Sequence, residues 1–159
     1  MIIGVIASLI IIFSGALGRL FTAKIREANS FYLSLISFCD YLLASINFSQ
    51  VKLKEVFLKF NGSNNKFKNF LSQAQNHFED QNFSLCIPNF LDETQQDEIT
   101  RFLISLTQFD AAGVTNQIES FKARFKIYQS NYEAQVKVKA PLIEKLSIGV
   151  GLVIAILII

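Results

Sequence analysis

Chemistry at neutral pH needs an imidazole, a thiol or well-placed carboxylates, and this chain of 159 residues offers His77, Cys39, Cys86 and 13 Asp/Glu. An imidazole serves as a general base or metal ligand, and a thiolate as a nucleophile or zinc ligand. Each needs partners, and the spacing supplies none. His77 is the only histidine, which excludes a multi-histidine metal site. A zinc site on two distant cysteines would have to borrow carboxylates. There is no glycine-rich phosphate loop, no Walker-type Lys-Ser/Thr pair and no Gly-x-Ser-x-Gly turn. Adjacent acids such as Asp97 and Glu98 fall on helix surface predicted to be exposed. The expectation is a protein without catalytic residues, metal, cofactor or small-molecule substrate. Nucleic acid is not expected either, because the basic residues are dispersed and no binding motif is present. The competing reading is an enzyme built on scattered carboxylates with Cys39 or Cys86.

What the charges do instead is divide the chain. All 15 Lys/Arg and all 13 Asp/Glu lie between Arg19 and Lys145. Residues 1–18 form an apolar run that spans about 27 Å as a helix, close to the hydrocarbon thickness of a bilayer. The closing run from Leu146 to Ile159 reaches only about 21 Å. It crosses if the helix starts near Leu142 with Lys145 snorkelling to the interface, or if the bilayer thins locally. The alternatives are a buried core helix at either end or a removed signal at the first. A signal fits poorly, since no positive charge precedes the apolar run. Arg19, Lys24 and Arg26 follow the first span, and Lys137, Lys139 and Lys145 precede the second. By the positive-inside rule both clusters put the middle in the cytoplasm, where Cys39 and Cys86 are expected as free thiols. The chain therefore reads as a transmembrane helix over 1–18, a cytosolic helical bundle over 19–141 and a transmembrane helix over 142–159.

Within the middle region the apolar residues recur at helical spacing. Ile25, Ala28, Tyr32, Leu35, Cys39, Leu42 and Ile46 continue the first helix to about Phe48. A short helix carries Leu53, Val56, Phe57 and Phe60 and stops at Asn61-Gly62. Ser63 or Asn64 can cap a third helix bearing Phe67, Phe70, Leu71, Ala74 and Phe78. Pro88 interrupts the pattern over 81–92, where Phe83, Leu85, Ile87 and Phe90 suggest a loop pinned to the bundle or a partner-docking loop. Thr94 and Asp97 have capping-box spacing, ahead of inward Ile99, Phe102, Leu103 and Leu106. Val114, Ile118, Phe121, Phe125, Tyr128 and Tyr132 form a heptad-type seam, read as a bundle seam in preference to a coiled-coil dimer. This helix should run toward Pro141, where a kink could admit the second span.

Seven acids against one Arg lie between Glu79 and Asp110, while the flanking stretches are basic. A solvated surface and an acidic docking face both fit. If it is a docking face, Asp92, Glu93, Asp97 and Glu98 are its candidate residues.

Three stretches together resemble the stage III sporulation protein AB family, over nearly the whole chain. In 45–57, Ile46, Leu53, Glu55 and Phe57 match the family pattern and Phe48 stands for its aromatic, while Ser45 and Lys52 depart from a family Glu and Pro. Leu106, Asp110 and Gln117 fit a second stretch in which Thr107 replaces Gly. Lys145, Leu146, Gly151 and Leu152 fit the opening of the closing span, with Ser147 for Gly. The resemblance implies a mother-cell membrane location facing the forespore. It further implies a non-enzymatic platform role in a secretion-like channel complex, resembling the platform proteins of type II secretion and type IV pilus machines. The implied partners are a secretion-type ATPase in the cytosol, other membrane subunits and the bilayer. The alternative is a generic membrane-tethered helical adaptor unrelated to sporulation.

Overall fold

A computed structural model describes residues 2–48, 53–62, 64–79, 87–108 and 111–158. The described residues are all-α: α1 (Ile2–Phe48), α2 (Leu53–Lys59), α3 (Asn65–Glu79), α4 (Glu93–Gln108) and α5 (Ala111–Ile158). Low Gly and Pro content permits two such long helices. The expectations attached to Ser63, Phe83, Leu85, Cys86 and Asp110 lie outside the described residues. Packing divides the chain into two units, Ser30–Gln129 and Met1–Asn29 with Ser130–Ile159.

The 30–129 unit is organised around its stretch of α1. Phe31 meets Phe67, Phe70 and Phe90 edge-on, with ring centroids 5.3, 5.4 and 5.8 Å away. Phe38 meets Phe57 and Phe60 in the same way. Turned toward α5, Tyr32 lies against Phe125 and Tyr128. Edge-to-face geometry sets a ring's positive rim against its neighbour's negative face, so a core built on Phe gains orientation as well as burial. Ile99, Phe102, Leu103 and Leu106 from α4 and Val114, Ile118, Phe121 and Phe125 from α5 are buried with them.

Local signals set the ends of these helices. Asn64 caps α3: its side-chain oxygen accepts from the backbone N–H of Lys66 at 2.8 Å and of Phe67 at 3.2 Å. Pro88 opens a tight turn closed by the Leu91 N–H on the Pro88 carbonyl, and it drops Leu91 into the core. The cap of α4 differs from the expected Thr94–Asp97 pair. Asp92 receives the Gln95 N–H at 2.8 Å, and the Gln95 side chain turns back to the Asp92 N–H. The reciprocal box is therefore Asp92–Gln95, two residues earlier. An Asp already stood where the helix could start, and a carboxylate is the stronger acceptor for orphan N–H groups. At the other expected breakpoint α5 is not interrupted: Pro141 lies inside the helix.

In the second unit, residues 2–29 of α1 and 130–158 of α5 pack antiparallel through small side chains. Ser14 Oγ donates to the Ser147 carbonyl. A Cβ on Gly18 would lie 2.7 Å from Ser147 Oγ, and one on Gly151 would lie 2.7 Å from Ser14 Cβ and 3.3 Å from Ile11 Cα. Ala7, Ala140 and Ala155 are buried on the same seam. Where polar side chains enter, they find each other: Thr22 Oγ1 donates to Glu144 at 3.0 Å, and Arg26 reaches the same carboxylate oxygen at 2.8 Å. Small residues and interhelical hydrogen bonds hold helices together where the hydrophobic effect cannot. Both helices are long and apolar enough to cross a membrane.

Candidate interaction surface

The acids singled out as a docking face converge at the start of α4, but they do different things. Asp92 is exposed, yet one of its oxygens serves as the helix cap. Glu98 is largely withdrawn, its side chain 12% exposed, and it receives Arg124 at 3.0 Å. It also accepts from the Tyr128 hydroxyl, which keeps that phenol protonated to higher pH than usual. Glu93 and Asp97 stand exposed one turn apart. With Thr94, Arg101, Arg124 and Tyr128 they line a shallow depression of about 340 Å³. The face therefore presents the exposed acids Glu93 and Asp97 beside exposed Arg101 and Arg124, with Arg124 braced by Glu98. Arg124 was invisible to a reading along the chain because it arrives from α5. Its guanidinium also lies 5.4 Å from the Phe121 ring centroid, which fixes its position.

Of the family-motif positions, Ile46, Glu55 and Phe57 have described side chains. Phe57 is buried against Phe38, Ile46 is half-buried, and Glu55 pairs with Lys59 one turn on. Phe48 ends α1 and Leu53 opens α2, while Asp110 lies outside the described residues.

Cys39 is buried in the bundle, and burial, with Asp40 beside it, pushes its thiol up to about 12. Such a thiol is inert as a nucleophile. Asp40 pairs with Lys122 across the bundle surface. His77 belongs to α3. Among the described residues no group of His, Cys, Asp or Glu could hold a metal ion.

The six basic residues expected to set topology are all exposed. The register of the antiparallel pair is given by Gly15 against Ile148, with Ser14 and Gly18 against Ser147. In that register Arg19 falls level with Lys145, Lys24 with Lys139 and Arg26 with Lys137. Each tier thus carries one cation from each helix. Toward the termini from this collar the surface is apolar: Ile12 and Phe13 are 68% and 67% exposed, and Leu157 is 81% exposed.

No curated protein and no solved structure matches the chain. A family model described as stage III sporulation protein AB matches residues 3–159, so the chain belongs to the stage III sporulation protein AB family and acts in stage III of sporulation.

Proposed function

We propose that the protein is a membrane-anchored platform subunit, without chemistry of its own, in the secretion-like complex linking mother cell and forespore. In this reading the apolar parts of α1 and α5, over 1–18 and 142–159, cross the mother-cell membrane. The 30–129 unit then faces the cytosol and couples a secretion-type ATPase to membrane subunits. The observation that carries the reading is the collar: two apolar helices whose exposed cations sit at matching heights on one side. Water-soluble core helices of this length would be buried, whereas Leu9, Ile12, Phe13 and Leu20 are at least 60% exposed. The N-terminal segment is also built into a pair with α5, which favours a retained span over a removed signal.

The ATPase-facing surface is the rim at Glu93 and Asp97. Exposed charges steer encounter and weaken with salt. Full-length protein in detergent should bind a secretion-type ATPase from the same organism, with affinity falling as salt rises. Glu93→Lys with Asp97→Lys should reduce that binding about tenfold or more and flatten its salt dependence, while leaving Glu98 and the fold untouched. Salt-independent binding that is unchanged by the double reversal would move the docking face elsewhere. No binding by correctly folded protein would favour an adaptor for membrane partners alone.

A further inference from the structure

The two flanks of the α1/α5 pair are chemically unlike. Leu17 and Arg19 border Gly18 on opposite sides, and Val150 and Leu152 border Gly151 on opposite sides. On the flank of Leu17 and Val150 runs an apolar groove of about 700 Å³. Its lining includes Ile10, Phe13, Leu17, Val150 and Ile154, and its size falls within the roughly 300–1,000 Å³ usual for ligand clefts. Helical register carries the same flank inward. Lys24 lies seven residues, two turns, beyond Leu17 on one face of α1. Lys139 borders buried Ala140 on the side on which Val150 borders Gly151, three turns away. Lys24 and Lys139 occupy the same tier of the collar.

Neither of these lysines forms an ion pair among the described residues. By contrast, Arg26 and Lys137 in the neighbouring tier are paired with Glu144 at 2.8 Å and Glu133 at 2.5 Å, while Arg19 and Lys145, also without an ion pair among the described residues, lie on the opposite flank, away from the groove. The apolar groove is lined as far as Leu17, and about two turns farther inward on the same flank stand two cations at one height with no ion pair among the described residues. We propose that this flank binds one anionic phospholipid, an acyl chain in the groove and the phosphate between Lys24 and Lys139. The inference rests on the membrane placement argued above. Charge and shape together select the occupant. A protein helix would fill the groove without using the lysines, and a soluble anion would use the lysines without the groove. Basic pockets between spans on the cytoplasmic side hold acidic headgroups by this same combination.

The chain contains no Trp, so a single introduced indole reports on one place. The full chain carrying Phe13→Trp is reconstituted into phosphatidylcholine bilayers and titrated with brominated phosphatidylglycerol or brominated phosphatidylcholine as quencher. Leu152→Trp, on the opposite flank, is the control. Brominated phosphatidylglycerol is expected to quench the groove reporter at several-fold lower mole fraction than brominated phosphatidylcholine, with no such preference at the control. Lys24→Gln and Lys139→Gln, both at exposed positions, should each weaken the preference about fivefold. Equal quenching by both lipids at both reporters would overturn the site and leave the membrane placement intact. A phosphatidylglycerol preference of similar size at both reporters, or one untouched by the lysine changes, would reduce it to general attraction by the collar and overturn the site as well. Loss of the preference on adding millimolar inorganic phosphate would assign the lysines to a free anion and overturn the lipid. Absence of quenching by either lipid at either reporter would remove the membrane placement, and this inference with it.

Discussion

At the scale of single residues, burial decides more than identity. Phe31 and Phe38 are wholly buried, and each anchors several rings, so Phe31→Ala or Phe38→Ala should cost about 3–5 kcal/mol. Denaturant unfolding followed by circular dichroism would read this, and a loss below about 1 kcal/mol would contradict the packing described. Cys39 provides a second measure. Its thiol is held neutral by burial up to about 12, from an ordinary 9.0. In a Cys86→Ser background, maleimide should therefore leave native protein unlabelled at pH 8 and label it once unfolded. The linkage has a definite sign. Folding favours the neutral thiol, so its stabilisation is complete below pH 9.0 and declines as pH rises toward about 12. Rapid labelling of native protein would place Cys39 at the surface. These two phenylalanines were also the main core residues that spacing along the chain overlooked. The stripe from Ile25 to Ile46 marks one face, whereas this part of α1 is covered by α2 and α3 on one side and α5 on the other. A central helix is buried over an arc wider than one stripe, and that follows from the neighbours alone.

Elements were legible where a strong local signal marks them. Asn64 capping α3, the end of α1 at Phe48 and the seam from Val114 to Phe125 all appear as the spacing expected. The α4 cap was misplaced because two overlapping signatures, Asp92–Gln95 and Thr94–Asp97, compete within six residues. Structure and sequence thus make opposing forecasts. Asp92→Ala should destabilise by about 1 kcal/mol, whereas Thr94→Ala should stay within about 0.5 kcal/mol. Thermal melts of the two variants would decide, and the reverse ranking would restore the Thr94 cap. The antiparallel pair makes a comparable contrast. Gly151 has no room for a Cβ, while Gly149, two residues away, has nothing within 4 Å. Gly151→Ile should force α1 and α5 apart and lower the melting temperature in micelles, and Gly149→Ile should be tolerated. Equal behaviour would mean the small-residue seam does not hold the pair. Neither the seam nor the Arg124–Glu98 contact could be read from one dimension, because each joins residues more than twenty positions apart.

For the whole molecule the governing quantity is where the cations sit along the membrane normal. The sequence already grouped them beside its apolar ends. What it lacked was the register that sets Arg19 level with Lys145, Lys24 with Lys139 and Arg26 with Lys137, giving both helices one common boundary. Two spans with a shared basic side can orient only together, since inverting one without the other would drag the 30–129 unit through the bilayer. In the proposed topology, retention of cations on the cytoplasmic side sets that orientation. With native charges, a reporter active only outside the cytoplasm should therefore work when fused after Ile159, and a cytoplasmic reporter inserted in the turn after α2, beside exposed Asn61, should also work. Replacing Arg19, Lys24 and Arg26 with Gln should leave a mixed population in which both signals fall, because Lys137, Lys139 and Lys145 still favour the original orientation. Neutralising all six should weaken both signals further. If the C-terminal reporter were silent in the native protein while the turn reporter worked, the last helix would lie in or on the membrane without crossing it. The 30–129 unit would then be anchored by α1 alone, with the α1/α5 pair as a re-entrant buttress.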